Sequence, residues 1–169
     1  MPLTPTGQQE IERLFREHGK GIGGYICARV GDAELAEEIT ARVFLQVVRA
    51  HDQLRGPPLP WLWSIVRNEL ARHFRRPQIQ RPLDEAMQDT KVLPADELTQ
   101  REASRQLTEA LAQLTEDDRQ IVGMKFFSRM SNLEIADATG MTATNVGVRI
   151  FRALERLRNL MHVAVHRAD

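Results

Sequence analysis

Cysteine is nearly absent: Cys27 is the only one in 169 residues. An internal disulfide is therefore excluded, which suits a reducing cytoplasm. Set among Ile26, Ala28 and Val30, it reads as a small core residue rather than a reactive thiol. Aromatic residues make up only 5% of the chain, and no apolar run approaches the roughly 20 residues that span a bilayer. The opening MPLTPTGQQEIERLF has no basic segment followed by an apolar one, so no secretory leader is expected. No stretch alternates as a strand does. Enzyme signatures are also missing. The cluster Gly19-Lys20-Gly21-Ile22-Gly23-Gly24 follows no strand and lacks a Gly-Lys-Ser/Thr ending, so it fails as a phosphate loop. It reads as a flexible break or a weak helix start. His18, His51 and His73 are scattered, and the His162/His166 pair has no third ligand nearby. No catalytic residue, metal or cofactor is expected.

The formal net charge is zero, but the charges are sorted. Residues 1–76 hold 11 Lys/Arg against 9 Asp/Glu, net +2; residues 77–118 hold 4 against 10, net −6; residues 119–169 hold 8 against 4, net +4. Two basic ends around an acidic middle suggest two polyanion-binding lobes.

Helical periodicity fills both ends. Ile11, Leu14 and Phe15 begin one amphipathic helix. A second follows Gly31-Asp32 and carries Leu35, Ile39, Val43, Phe44 and Val47. Gly56-Pro57-Pro58-Leu59-Pro60 ends it, and Pro60 is suited to open the next helix, Trp61 to about Arg75. Residues 77–98 are acidic, proline-containing and aperiodic, as a linker with little fixed structure would be. A helix near Thr99–Leu114 starts the second lobe. Thr115 caps another, whose acids Glu116, Asp117 and Asp118 suit a helix N-terminus. That helix uses Ile121, Val122, Met124, Phe126 and Phe127.

Residues 131–157 read as a helix–turn–helix. Ser131 with Glu134 forms a capping box, Gly140 ends the first helix, and Thr142 caps a second running to about Met161. Asn145, Arg149, Arg152 and Arg156 share one narrow arc at 100° per residue. Val146, Ile150, Leu154, Leu157 and Met161 share an inward arc. Glu155 is the lone acid from Thr142 to Met161, so the basic arc fits phosphates or guanine edges in a major groove. Gly147 inside this helix costs about 1 kcal/mol against alanine; a close approach to the DNA backbone or simple variation would account for it.

Across both lobes the chain resembles an extracytoplasmic-function (ECF) sigma factor of the sigma-70 family. AEEITARVFLQVVRAHDQLRG with PWLWSIVRNELARHFRR resembles that family's region 2, through Trp61-Leu62, Ile65 and Arg67-Asn68. ALAQLTEDDRQIVGMKFF with EIADATGMTATNVGVRIFRALERLR resembles region 4. The resemblance implies an all-α fold of two small helical domains, 1–76 and 99–169, joined by an acidic linker at 77–98. It implies a non-catalytic cytoplasmic subunit that binds core RNA polymerase, on the clamp of the largest subunit and the flap of the second-largest. It also implies contact with promoter DNA, and a regulator such as an anti-sigma factor.

Carried over residue by residue, the minus-thirty-five duplex contacts are Thr142, Thr144, Asn145, Arg149, Arg152 and Arg156. The minus-ten single-strand contacts are Trp63, Arg67, Asn68, Arg72, His73, Arg75 and Arg76. By the family pattern Trp61 is the core residue, while Trp63 either stacks on a base or packs in the core. Polymerase docking falls to Glu34, Glu37, Glu38, Thr40, Ala41, Arg42 and Phe44. In this last stretch Ala41 stands where the family has glutamine and Arg42 where it has an acid. The cation is expected to weaken docking, and phosphorylation of Thr40 would restore negative charge. The alternative to a sigma factor is a stand-alone helix–turn–helix regulator that binds duplex DNA without polymerase.

Overall fold

The computed structural model describes the backbone of residues 5–76 and 95–167, with side chains from 6–76 and 96–162. The helices are α1 (Pro5–Val30), α2 (Ala33–Ala50), α3 (Pro58–Arg75), α4 (Ala95–Ala112), α5 (Glu116–Phe126), α6 (Asn132–Thr139) and α7 (Ala143–Arg167), with one 3₁₀ turn at His51–Gln53. No strand occurs among the described residues, so the all-α expectation holds. The linker expected at 77–98 lies outside the described residues as far as position 94; from Ala95 the chain is already helical, four residues before Thr99.

Local chemistry sets most boundaries. Gly31 takes φ +74° at the end of α1, and Asp32 then caps α2 by accepting from the Leu35 amide at 2.9 Å. α3 opens at Pro58 rather than Pro60, because a proline in the first turn gives up an N–H that has no intrahelical acceptor. The Gly19–Gly24 cluster corrects its sequence reading: it is neither break nor start but lies in the middle of α1.

One apolar core runs through both lobes. Ile22, Tyr25 and Ile26 of α1, Ile39 and Val43 of α2, and Leu62, Trp63 and Val66 of α3 join Ile121, Met124, Met130, Ile135 and Val146 of the second lobe. A smaller cluster of Ala110, Leu111, Leu114, Val122, Ala153 and Leu157 locks α4, α5 and α7 together. The two halves are packed directly against each other.

Candidate nucleic-acid interface

The helix–turn–helix forms as its caps dictate. The Ser131 amide donates to Glu134 Oε2 at 2.7 Å and the Glu134 amide to Ser131 Oγ at 3.2 Å. These bonds, the one from the Ser131 backbone foremost, hold the Glu134 carboxyl below its ordinary pKa. Gly140 turns the chain at φ +72°, and Thr142 Oγ1 accepts from the Asn145 amide at 3.1 Å to start α7. Val146, Ile150, Ala153 and Leu157 of α7 are buried. Leu154, expected inward, is 37% exposed and Ala153 takes its place. Seven residues beyond Val146 bring the helix back to within about 20° of it, whereas eight overshoot by about 80°. A Cβ on Gly147 would meet only the side-chain nitrogen of Asn132 on α6, at 3.4 Å, an ordinary contact, so packing within the motif does not require the glycine.

The basic edge of α7 is only partly free. Thr142, Thr144, Asn145, Arg152 and Arg156 are exposed. Arg149 is half-buried and donates from Nε to Asp118 Oδ1 at 2.8 Å. Beside this edge Val148 and Phe151 are exposed at 42% and 62%, an apolar margin the sequence arcs left unassigned.

On α3 the expected minus-ten residues divide three ways. Asn68, Arg72, Arg75 and Arg76 are exposed. Arg67 reaches across to the second lobe, donating to Gln120 Oε1 at 3.0 Å and to Asp117 Oδ1 at 3.2 Å. Trp63 is fully buried and Trp61 only partly so, the reverse of the family expectation. The Trp63 indole N–H donates to Ser128 Oγ at 3.1 Å, and Tyr25 packs edge-on against it with ring centres 5.0 Å apart. Large aromatics with one polar atom bury well when that atom finds a partner. His73 is half-buried, and desolvation followed by the charges of Arg42 and Arg76 pushes its pKa down.

α2 presents a continuous outer stripe. Glu34, Glu37, Glu38, Ala41, Leu45 and Val48 are all exposed, at the three- and four-residue spacings that share a helix face. Leu45 and Val48, absent from the sequence-based docking set, extend its acidic end into an apolar one. Three members of that set, Phe44, Thr40 and Arg42, are not part of the exposed stripe. Phe44 is 8% exposed and packs edge-on with Phe15. Thr40 is half-buried, donates to the Ala36 carbonyl at 2.6 Å and lies against Gly23 of α1, so its hydroxyl is already engaged.

Arg42 has a structural explanation. Its Nε lies 3.5 Å from Glu69 Oε2, a carboxylate whose side chain is only 8% exposed. Glu69 Oε2 has no hydrogen-bond partner, and Arg72 adds a longer contact to Oε1 at 3.9 Å. Arg42 is thus the counter-charge of a buried acid on α3, and it bridges that acid to Glu38 of the outer stripe at 3.7 Å.

The first turn of α5 holds arginines from three other helices, besides Arg119 of its own. Glu116 takes Arg29 of α1 with both oxygens, each at 3.1 Å. Asp117 takes Arg67 of α3, and Asp118 takes Arg149 of α7. Arg29 is 7% exposed and also donates to the Tyr25 hydroxyl at 3.0 Å. Burial works against its charge, but Tyr25 and Glu116 together leave its pKa raised. These acids were legible as helix-dipole partners; their arginines, up to 87 residues away, were not. Among the described residues no group of three or more His, Cys, Asp or Glu is placed to hold a metal, and His166 of the His162 pair lies outside the described side chains. No helix is long and apolar enough to cross a membrane among the described residues.

Helices throughout the described residues, a helix–turn–helix and a basic edge on its outer helix are the features of a DNA-binding protein, and α2 carries a separate acidic–apolar stripe. Comparison with known families gives that class a family. A model described as sigma-70 region 2 matches residues 14–78, and one described as sigma-70, region 4, matches residues 104–157. The chain belongs to the sigma-70 family of RNA polymerase sigma factors. It is 27% identical over 159 residues to RNA polymerase sigma factor CarQ of Myxococcus xanthus, covering 91% of this chain and 90% of that one. It is 28% identical over 152 residues to the ECF sigma factor RpoE of Cereibacter sphaeroides, covering 88% and 84%. Its fold matches the sigma factor RpoE of Bartonella quintana, solved in complex with the anti-sigma factor NepR, at TM-score 0.62, 18% identity and coverage of 92% and 98%. With both regions in order and these relatives, the chain is an ECF sigma factor, a promoter-specificity subunit of bacterial RNA polymerase.

Proposed function

We propose that the chain recruits core RNA polymerase through the outer stripe of α2 and reads two promoter elements, minus-thirty-five as duplex with α7 and minus-ten as single strand with α3. The observation that carries this reading is the separation of faces. The acidic and apolar stripe on α2, the basic edge on α7 and the exposed Asn68, Arg72, Arg75 and Arg76 on α3 are distinct surfaces, so polymerase and DNA can be held together. The role is that of a non-catalytic subunit working in the bacterial cytoplasm. A membrane-held anti-sigma factor is the expected kind of regulator.

Purified chain mixed with core polymerase and a promoter library is the test. Core binding followed by promoter-dependent transcripts supports the proposal. Duplex binding by the chain alone, indifferent to polymerase, would establish the stand-alone regulator instead. Replacing Arg152 and Arg156 by alanine should weaken holoenzyme binding at the upstream element. If both meet phosphates, the slope of log affinity against log salt falls by about 1.8.

A further inference from the structure

We propose that Val148 and Phe151 are base-reading residues of α7, which pack on the 5-methyl groups of two thymines in the major groove of the upstream element. The inference rests on the assignment of α7 to the minus-thirty-five duplex and names a chemistry by which that helix selects sequence.

The geometry of α7 singles out this pair. Val146, Ile150, Ala153 and Leu157 are buried, and at 100° per residue they fall within an arc of about 60°. Val148 lies within about 10° of the point opposite the middle of that arc, at the centre of the outward face. Thr144 and Arg152 stand one turn before and one turn after it, and all three are exposed. Phe151, three residues on, is the neighbour of Val148 on the same face and the more exposed of the two, at 62% against 42%. Arg149 is turned about 100° from Val148, to the margin of the core, where Asp118 takes its Nε at 2.8 Å. The helix therefore points an apolar pair outward, with Arg152 and Arg156 to one side.

Such a pair has one kind of partner in a major groove. The base edges there present hydrogen-bond donors and acceptors, and the thymine 5-methyl is the one apolar group among them. A recognition helix meets base edges with its N-terminal residues, and Val148 and Phe151 are the sixth and ninth residues of α7. Asn145, Arg152 and Arg156 flank the pair with side chains suited to adenine, guanine and phosphate. Glu155, the lone acid from Thr142 to Met161, comes a turn beyond Phe151, away from the N-terminal end. A protein partner fits less well, because two side chains fall far short of the roughly 800 Å² per side of a specific protein interface. Helix neighbours three residues apart have Cβ atoms about 5–6 Å apart, and successive bases on one strand are about 3.4 Å apart. The two thymines therefore lie within two base-pair steps of each other.

The probe is a set of upstream duplexes selected by native holoenzyme from a randomised library. Each is remade with its thymines replaced one at a time by deoxyuridine, which removes the methyl and leaves the hydrogen-bonding groups unchanged. Native holoenzyme should bind about fourfold more weakly at two of these positions, the effect of losing one buried methyl group. Val148→Ala and Phe151→Ala should each bind thymine and deoxyuridine alike at one of the two. Both variants should keep their helical circular dichroism and the native slope of log affinity against log salt, because neither residue meets a phosphate. Native holoenzyme indifferent to deoxyuridine throughout, or variants that keep the full preference, overturn the proposal. Variants that keep the preference but lose affinity for core polymerase itself would make the pair a protein-docking patch and overturn it as well. Native holoenzyme that forms yet selects no upstream sequence would overturn the assignment of α7 to the minus-thirty-five element instead, a result the library gives before any deoxyuridine is used.

Discussion

Replacing Arg42 tests the buried pair between α2 and α3. The family pattern makes Arg42→Glu look like a repair of the docking surface, whereas the structure makes it a lesion. Arg42 lies 3.5 Å from Glu69 Oε2 and 3.7 Å from Glu38, so a glutamate there would crowd three acids, one of them buried. Two unit charges near 4 Å apart interact by about 4 kcal/mol at an effective dielectric of 20. The Arg42 side chain is 37% exposed, so solvent screens much of that, and Arg72 stays beside Glu69 in its absence. Arg42→Ala should therefore cost about 1.5 kcal/mol, and Arg42→Glu about twice as much. For a chain of this size that is about 3–6 °C in Tm for the alanine variant.

The pair should also behave asymmetrically. Removing the arginine strands a buried carboxylate, while removing the carboxylate leaves an arginine that can turn to water. Glu69→Leu alone should cost less than Arg42→Ala, and the two together should recover most of the arginine's loss. Thermal unfolding followed by circular dichroism, for the native chain, both single variants and the double, closes the cycle. An Arg42→Glu chain melting at the native temperature, or a double variant no better than Arg42→Ala, would refute the reasoning. Polymerase affinity of Arg42→Glu then has meaning only at temperatures where that variant is folded.

Three further outcomes follow from the same geometry. Ser131→Ala should destabilise the second lobe by about 1 kcal/mol through loss of the cap, read by urea unfolding. Because Glu134 titrates below its ordinary 4.5, its contribution is full above that pH and is lost as pH falls through the lowered value; native and Ser131→Ala curves should converge in acid. His18 and His73 are both lowered from 6.5, each by desolvation first; Glu17 and Glu134 partly oppose the shift at His18, where Arg13 adds to it, and Arg42 and Arg76 deepen it at His73. A base with a depressed pKa takes up its proton more readily when unfolded, so stability is full above pH 6.5 and declines as pH falls below it. Replacing both histidines by glutamine should flatten Tm between pH 7.5 and 5.5. Gly147→Ala should gain up to about 1 kcal/mol, since Asn132, its only near neighbour at 3.4 Å, is a side chain that can give way.

Features set by nearest neighbours were legible in the sequence. Ser131 with Glu134, Gly140, Thr142, Asp32 and Thr115 each act within four residues, and each does what its residue type dictates. Periodicity placed Val146, Ile150 and Leu157 correctly, and it failed at Leu154 because eight residues overshoot two turns by about 80°. The outer stripe of α2 was half legible: its acids were read as a docking face, while Leu45 and Val48 fell outside both the inward arc and the docking set, because apolar type alone gives an exposed position no role. Arg42 was legible as a departure but not as a response, since Glu69 lies 27 positions away on another helix.

The glycines carry the point furthest. Gly19 to Gly24 look like a break because the sequence shows only what glycine costs, about 1 kcal/mol in a helix interior. The return on that cost sits on the other lobe, at the Phe127 carbonyl that Gly21 admits. The same logic applies to Glu116, Asp117 and Asp118. At the start of α5 they satisfy the helix dipole, a sufficient local reason that conceals their distant partners Arg29, Arg67 and Arg149. One turn of helix thus serves folding of the second lobe and, through Arg67 and Arg149, occupies two of the cations assigned to DNA. Arg67 is held from across the lobe boundary, whereas Arg149 and Asp118 belong to the same lobe. Asp118→Ala should therefore free a cation on α7 without disturbing the contact at Arg67. Affinity of the native and Asp118→Ala chains for an upstream duplex, each measured as holoenzyme, would show whether this pair restrains Arg149; equal affinities would refute it.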